Sequence, residues 1–228
     1  CHKAGFSFGL PMGSFTDAVD WVGALFESYG AFMMDARGTI TVRNNAKLRA
    51  AVEMCARISR FLPNDVWAWD DGGNNRALIS GRSALIFNPP SAWAVAKRDA
   101  PQVAENCWTV PMPAGPEGRF AAYLPYFWGI WNFSRSKGAA KAFLEWLSDR
   151  AQAERQTNGS AGYDIPPFTS MSDFKVWETE GPPVGSVYNY PVRAHHNAKT
   201  SIAMAPAPAA MAVQMYNQGL NTKLVARI

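Results

Sequence analysis

The sequence is short of several things that chemistry would need. It has three cysteines (Cys1, Cys55, Cys107), which allow at most one disulfide and match no zinc spacing. It has three histidines. His195 and His196 stand side by side without a third ligand nearby, which reads as an exposed loop pair and not a metal site. No Gly-rich phosphate loop, nucleophile elbow or metal pattern is present, so no catalytic residue, metal or cofactor is assigned. Charged residues make up only 18% of the chain, and the net charge is +4 from 22 basic and 18 acidic residues. No Lys/Arg run exceeds two, so the clustered patch of a nucleic-acid binder is missing. No apolar run approaches the roughly 18 residues that would span a membrane. There is no internal repeat at solenoid spacing. No secretory leader is visible. The chain opens at Cys1 in what reads as mid-domain sequence, so it is expected to be a fragment and the missing leader says nothing of compartment.

What is present is a packed-domain composition: 228 residues, 48% hydrophobic, with nine tryptophans. Most of these rings belong in a core, and an aromatic ligand cleft is the functional alternative. Phe6, Phe8 and Leu10 alternate, predicting a short strand. Ser14 or Thr16 opens a helix to about Tyr29, with Phe15, Ala18, Val19, Val22, Leu25, Phe26 and Tyr29 as its apolar face and Gly30 as its stop. Residues 32–42 read as a hairpin turning at Asp35–Gly38. Asn44 or Asn45 caps a helix ending near Leu62. Its stripe is Leu48, Val52, Cys55, Ile58 and Leu62, with Arg49, Glu53, Arg57 and Arg60 in solvent.

The stretch 69–93 organises the chain. Gly72-Gly73 breaks, Asn74–Ser80 makes a helix ended by Gly81, Ser83–Phe87 suits a buried strand, and Asn88-Pro89-Pro90-Ser91 opens a helix that carries Trp93 to about Asp99. A strand running into a helix start presents backbone N–H groups to a cleft. Further on, Trp108–Met112 reads as a strand and 113–118 as a loop. Residues 119–133 read as an aromatic crossing strand split by Pro125. Ser136 caps a helix with Ala140, Phe143, Leu144 and Leu147 on one face, and a second helix continues to Gln156. A turn-rich return follows at 158–167. Short helices are expected near 173–180 and 184–195, and a last one at 209–218.

The run Trp69-Asp70-Asp71-Gly72-Gly73-Asn74-Asn75-Arg76-Ala77 through Asn88-Pro89-Pro90-Ser91-Ala92-Trp93 resembles the substrate-binding proteins of bacterial ABC importers, in the family 1, sugar-binding group of extracellular solute-binding proteins. The segments 110–119, 129–149 and 162–167 are similar to that family in the same order, so the resemblance covers roughly 5–220. It implies an α/β fold of the type II periplasmic-binding-protein kind. Residues 1–122 and 168–228 would form the second lobe. Residues 123–167 would hold the hinge crossings and the returning piece of the first lobe, most of which would be absent.

The resemblance also implies capture of a small polar solute, delivered to the membrane subunits of an ABC permease, by a monomer that is periplasmic, or extracellular and membrane-associated. Carried over by position, the cleft candidates are Trp69, Asn74, Asn75, Trp93, Tyr123, Tyr126, Phe127, Trp128 and Tyr163. Each has an ordinary alternative. Asn74 and Asn75 cap a helix equally well, Trp69 and Tyr163 suit a core, and strand alternation sends about half of 123–128 inward. Rings and amides favour a sugar or oligosaccharide, because amides meet hydroxyls both as donors and as acceptors. No acidic cage is evident among these candidates, which argues against polyamines. Asp70 and Asp71, adjacent in a loop, suit helix-start charge better than acid–base work. The competing readings are a carbohydrate-active hydrolase, which needs two facing carboxylates, and a carbohydrate-binding domain without a transport role.

Overall fold

Two short strands pair in parallel. β1 (Ser7–Gly9) pairs with β2 (Ser83–Ile86), Ser7 opposite Ser83 and Gly9 opposite Ile86. Parallel neighbours need a long crossover, and here it consists of α1 (Thr16–Ser28), α2 (Ala46–Ser59) and α3 (Gly73–Ile79). The strands approach closely because the facing groups are small. The hydroxyls of Ser7 and Ser83 lie 2.8 Å apart, and a Cβ at Gly9 would stand 2.9 Å from Ile86 Cγ2. After β2 come α4 (Ser91–Asp99) and the single turn α5 (Pro101–Ala104), then α6 (Lys137–Ser148) and α7 (Arg150–Gly159). This computed structural model describes residues 1–176 except 14, 33, 34, 36–38, 90, 111, 121–127, 167 and 172. The expected hairpin turn at 36–38, the centre of the crossing strand and the helices beyond 176 lie outside the described residues.

The main core is built as the periodicity of α2 requires. Asn45 Oδ1 accepts the Leu48 N–H at 3.1 Å, which fixes the first turn. Cys55 and Ala51 are then fully sealed, and Leu48, Val52, Ile58 and Leu62 pack against the cluster of Leu10, Met12, Trp21, Val22, Phe26, Val66 and Trp69. Burial pushes the Cys55 thiol up to about 12, so it behaves as a small apolar side chain.

α1 keeps most of its expected face, with Ala18, Val22 and Phe26 buried and Leu25 and Tyr29 packed on the core, and departs from it at its start. Phe15 is exposed, while Asp17 and Trp21 point inward with Ala18, Val22 and Phe26. Asp17 and Trp21 are four apart, so turning one inward turns the other. The C-terminus of α1 is closed by the 113–118 loop, where Glu117 N–H donates to Ser28 O at 2.9 Å. Gly115 permits this approach, since a Cβ there would lie 2.5 Å from Ser28 O.

Three further expectations are corrected. Residues 108–110 and 112, expected within a strand, carry no regular ladder; Gly115 and Gly118 bridge each other nearby. Residues 128–133, expected to finish the aromatic strand, are irregular and turn at 132–133. Ser136 stands at the N-cap position of α6 without making the cap bond; the Ser134 hydroxyl accepts the Ser136 N–H instead. The apolar face of α6 is present but buries none of its residues: Phe143 and Trp146 stack on each other, both about half exposed. The described residues around 170–176 return to α7. Met171, Phe174 and Val176 pack with Ala153, and Arg150 donates to Ser170 O and to Asp173, both at 2.6 Å, with its guanidinium over the Phe174 ring.

Candidate functional site

Asn74 joins four segments. Gly72 and Gly73 admit the chain into α3 beneath Trp69, where a Cβ at Gly73 would stand 2.6 Å from Trp69 Cβ. Asn74 therefore enters the helix facing inward and is fully buried. Its Nδ2 donates to Asp17 Oδ2 at 2.7 Å, Phe87 O at 2.8 Å and Asn88 Oδ1 at 2.7 Å. Asn88 Nδ2 in turn donates to Pro89 O and to the Ser91 hydroxyl, 3.1 and 3.2 Å away. Asp71 Oδ1 accepts the Asp17 N–H at 3.1 Å. One amide thus holds the start of α1, the exit of β2 and the turn into α4 side by side. Neither Asn74 nor Asn75 caps α3, whose N-cap is Gly72. Asp71 does serve a helix start, but it is the start of α1 and not of α3.

Three carboxylates gather here. Burial pushes the Asp17 carboxyl up to about 6; the Asn74 amide opposes this and Asp71 adds to it. Burial, then Asp17, then Asp71 push Asp20 up to about 7. Among the described residues no basic side chain figures among the causes of either shift. The neighbouring acids differ because they have partners. Arg76 holds Asp70 below the usual carboxylate range, and Arg82, bonded to both oxygens, holds Asp65 at about 2 with help from Trp69. These outer pairs are solvent-exposed and contribute little stability.

The nine sequence candidates separate into inside, outside and undescribed. Trp69 is 7% exposed within the main core, with the Arg82 guanidinium 5.7 Å above its ring. Trp93 is 6% exposed in a second cluster with Ala96 and Ala104, flanked by Ile79, Val103, Cys107 and Ala161. Asn74 is the buried tie. Asn75 is half-buried, and its Oδ1 is sealed from solvent without a hydrogen-bond partner. Trp128 is 70% exposed. Tyr163 is half-buried and follows Ala161 and Gly162, both in the left-handed region at φ 52° and 87°. Tyr123, Tyr126 and Phe127 lie outside the described residues. Sequence reasoning missed Phe15, Asp17, Asp20, Asn88 and Ser91. The three-residue step from Asp17 to Asp20 on one helix was the available signal.

A family model described as bacterial extracellular solute-binding protein matches residues 11–182. A Deinococcus radiodurans protein named "Probable ABC transporter-binding protein" is 26% identical over 178 residues, covering 76% of this chain and 40% of its own length. A Sinorhizobium fredii protein named "Probable amino-acid ABC transporter periplasmic-binding protein y4oP" is 27% identical over 147 residues, covering 63% of this chain and 32% of its own. The maltose-bound MalE3 of T. maritima superposes with a TM-score of 0.72 at 16% identity, over 99% of this chain and 56% of that one. The chain therefore spans about half the length of the proteins it matches, or less. Its fold is that of the periplasmic binding proteins. The matched family and both curated relatives are binding proteins and not enzymes. Among the described residues no helix is long and apolar enough to cross a membrane.

Proposed function

We propose that this chain, which belongs to the family of bacterial extracellular solute-binding proteins, is the second lobe and hinge region of a protein that captures a small polar solute and hands it to the membrane subunits of an ABC importer. The observation that carries this reading is the family match, which runs unbroken from the loop before α1 past the end of α7. Lobe closure around a solute is a two-state hinge motion whose population the solute shifts. No covalent step is needed, and the protein acts as a monomer.

We place the solute at the joint starts of α1 and α4, with Phe15, Asn75, Ser91, Trp128 and Tyr163 as its lining, and with Tyr123, Tyr126 and Phe127 on the crossing. Trp69, Asn74 and Trp93 act behind this surface, because their side chains are already enclosed by protein. The exposed rings of Phe15 and Trp128, and an Asn75 oxygen that lacks a partner among the described residues, favour a sugar or oligosaccharide. The division into 1–122 and a returning body from 123 is part of the proposal. The packing of Met171, Phe174 and Val176 with Ala153 supports drawing the returning body on through 176. The bare face of α6, with Phe143 and Trp146, is where we place the rest of the first lobe.

A thermal-shift screen against mono- and disaccharides, polyols, sugar phosphates, amino acids and amines tests this. The expected result is stabilisation by one sugar class, about 2.7 kcal/mol at a hundredfold excess over the dissociation constant. Trp128→Ala should abolish that shift and leave unliganded stability within about 0.5 kcal/mol, because the ring is a surface group. Asn75→Ala should also lose the shift, yet leave unliganded stability equal or raised by up to about 1 kcal/mol, since a sealed acceptor without a partner is removed. A shift with amines or amino acids and none with sugars retires the sugar reading. A sugar shift untouched by either variant retires this lining.

A further inference from the structure

α7 ends in a corner whose backbone is unusual for its side chain. Among the described residues two that are not glycine have a left-handed φ, Asn44 at 52° and Ala161 at 52°. Asparagine tolerates that region, because its short amide can bond locally; alanine has no such compensation. Ala161 stands where a helix ordinarily closes on glycine. Its N–H donates to Asn158 O at 3.0 Å, and the N–H of Gly162, at φ 87°, donates to Thr157 O at 2.8 Å. Those two bonds complete the closing turn of the helix. Thr157 is the one residue of α7 that is fully enclosed, so the helix is anchored at this end. Ala161 packs against the cluster of Trp93, Ala96 and Ala104, as do Val103 and Cys107. That cluster belongs to α4 and α5. Backbone strain persists where surrounding contacts offset it, and here the offsetting contact is the cluster.

We infer that Ala161 is a clasp between the two bodies: its methyl seats the end of α7 on α4 and α5 and so sets the rest position of the returning body. The clasp rests on the division proposed above, in which the chain crosses near 123 and returns through α6 and α7. Its strength suits a joint that moves. Burying one methyl is worth about a fourfold change in an equilibrium, and the left-handed backbone of an alanine takes back a factor of similar size. The contact therefore holds the bodies in register without locking them. A glycine would close α7 with less strain and leave the cluster without that methyl. The alanine gives up ease of helix closure and gains a contact across the joint. Ala161 is thus a positioning residue, and Trp93 is part of its seat. Solute that turns the returning body works against one methyl, so the side chain at 161 sets how readily the joint turns.

Ala161→Gly tests this in the full chain, and the fold is not at risk, because glycine is the residue this φ favours. Cys107 packs on the same cluster and Cys55 is sealed in the main core, so the chain carries two probes of its own. In a Cys1→Ser background, the rate at which a disulfide reagent consumes Cys107, divided by the rate for Cys55, should rise at least about threefold in the variant. A plain helix cap predicts the opposite: glycine relieves strain, α7 closes more firmly, and the ratio holds or falls. Removing a methyl also opens a path to Cys107 with the bodies unmoved, so a second readout is needed. Nitroxide labels at Arg57→Cys on α2 and Lys141→Cys on α6, both exposed positions, report the separation of the bodies in a chain whose three native cysteines are replaced by alanine. The distribution of label distances should be broader with Ala161→Gly than without it. A ratio that holds or falls, or a distribution that does not broaden, overturns the clasp. Neither measurement uses a solute. A chain that binds no sugar but shows both effects fails the functional reading alone, and one that binds sugar with an unmoved ratio fails the clasp alone.

Discussion

Asn74→Ala is expected to cost about 3–5 kcal/mol in urea denaturation, a large share of the stability of a domain this size. The cost does not come from lost apolar area. It comes from three acceptors that keep their places and lose their donor. Phe87 O and Asn88 Oδ1 are left short in a part-buried site, and Asp17 becomes a buried carboxyl without its amide. Each such orphan costs about 1–3 kcal/mol, with the charged one at the upper end. Asn74→Asp should do no better, because it adds a fourth carboxylate to carboxylates that already raise one another. A loss below about 1 kcal/mol for Asn74→Ala would mean that water already serves these acceptors, and the tie would have to be given up.

Trp21→Ala is the second large effect, expected at about 3–5 kcal/mol. The ring is 2% exposed, and its Nε1–H donates to Pro11 O at 2.7 Å. It therefore fills the core and also fixes the chain between β1 and α1. The two contributions separate in Trp21→Phe, which keeps most of the packing and orphans the Pro11 carbonyl. We expect that variant to lose about 1–3 kcal/mol. Equal losses for Phe and Ala would assign the whole effect to the hydrogen bond. No loss in either would show that the inward face of α1 is wrongly placed.

α1 shows where reading the sequence works and where it stops. Its span, and the stripe and cap of α2, follow from apolar spacing and from Asn45, because those rules act within a few residues. Most of the inward face of α1 follows too, through Ala18, Val22 and Phe26, but its start does not: hydrophobicity alone puts Phe15 inside, yet Phe15 is exposed and Asp17 is buried. What draws Asp17 in is an amide on α3, 57 positions away. Trp93 illustrates the same limit. A ring at a helix start reads as a cleft wall, but Ile79, Val103 and Ala161 close over it from three other segments. The strand expected at 108–112 and the last part, 128–133, of the one expected at 119–133 depended on partners that no local pattern supplies. The order of segments was legible through the family resemblance, and it located the region around Asn74 without revealing the carboxylates behind it.

The three thiols make this chain its own reporter of opening. Cys1 is exposed, Cys107 is half-buried with a thiol raised by burial, and Cys55 is sealed on α2. A disulfide reagent should therefore consume one equivalent at once and a second slowly. The third should be consumed only as often as α2 leaves the core, because the reactive thiolate cannot form in place. The slow rate counts excursions of the main core on a clock that no tryptophan signal supplies. Asn74→Ala and Trp21→Ala should both speed it in proportion to the stability they remove. A substitution confined to the surface, such as Trp128→Ala, should leave it unmoved.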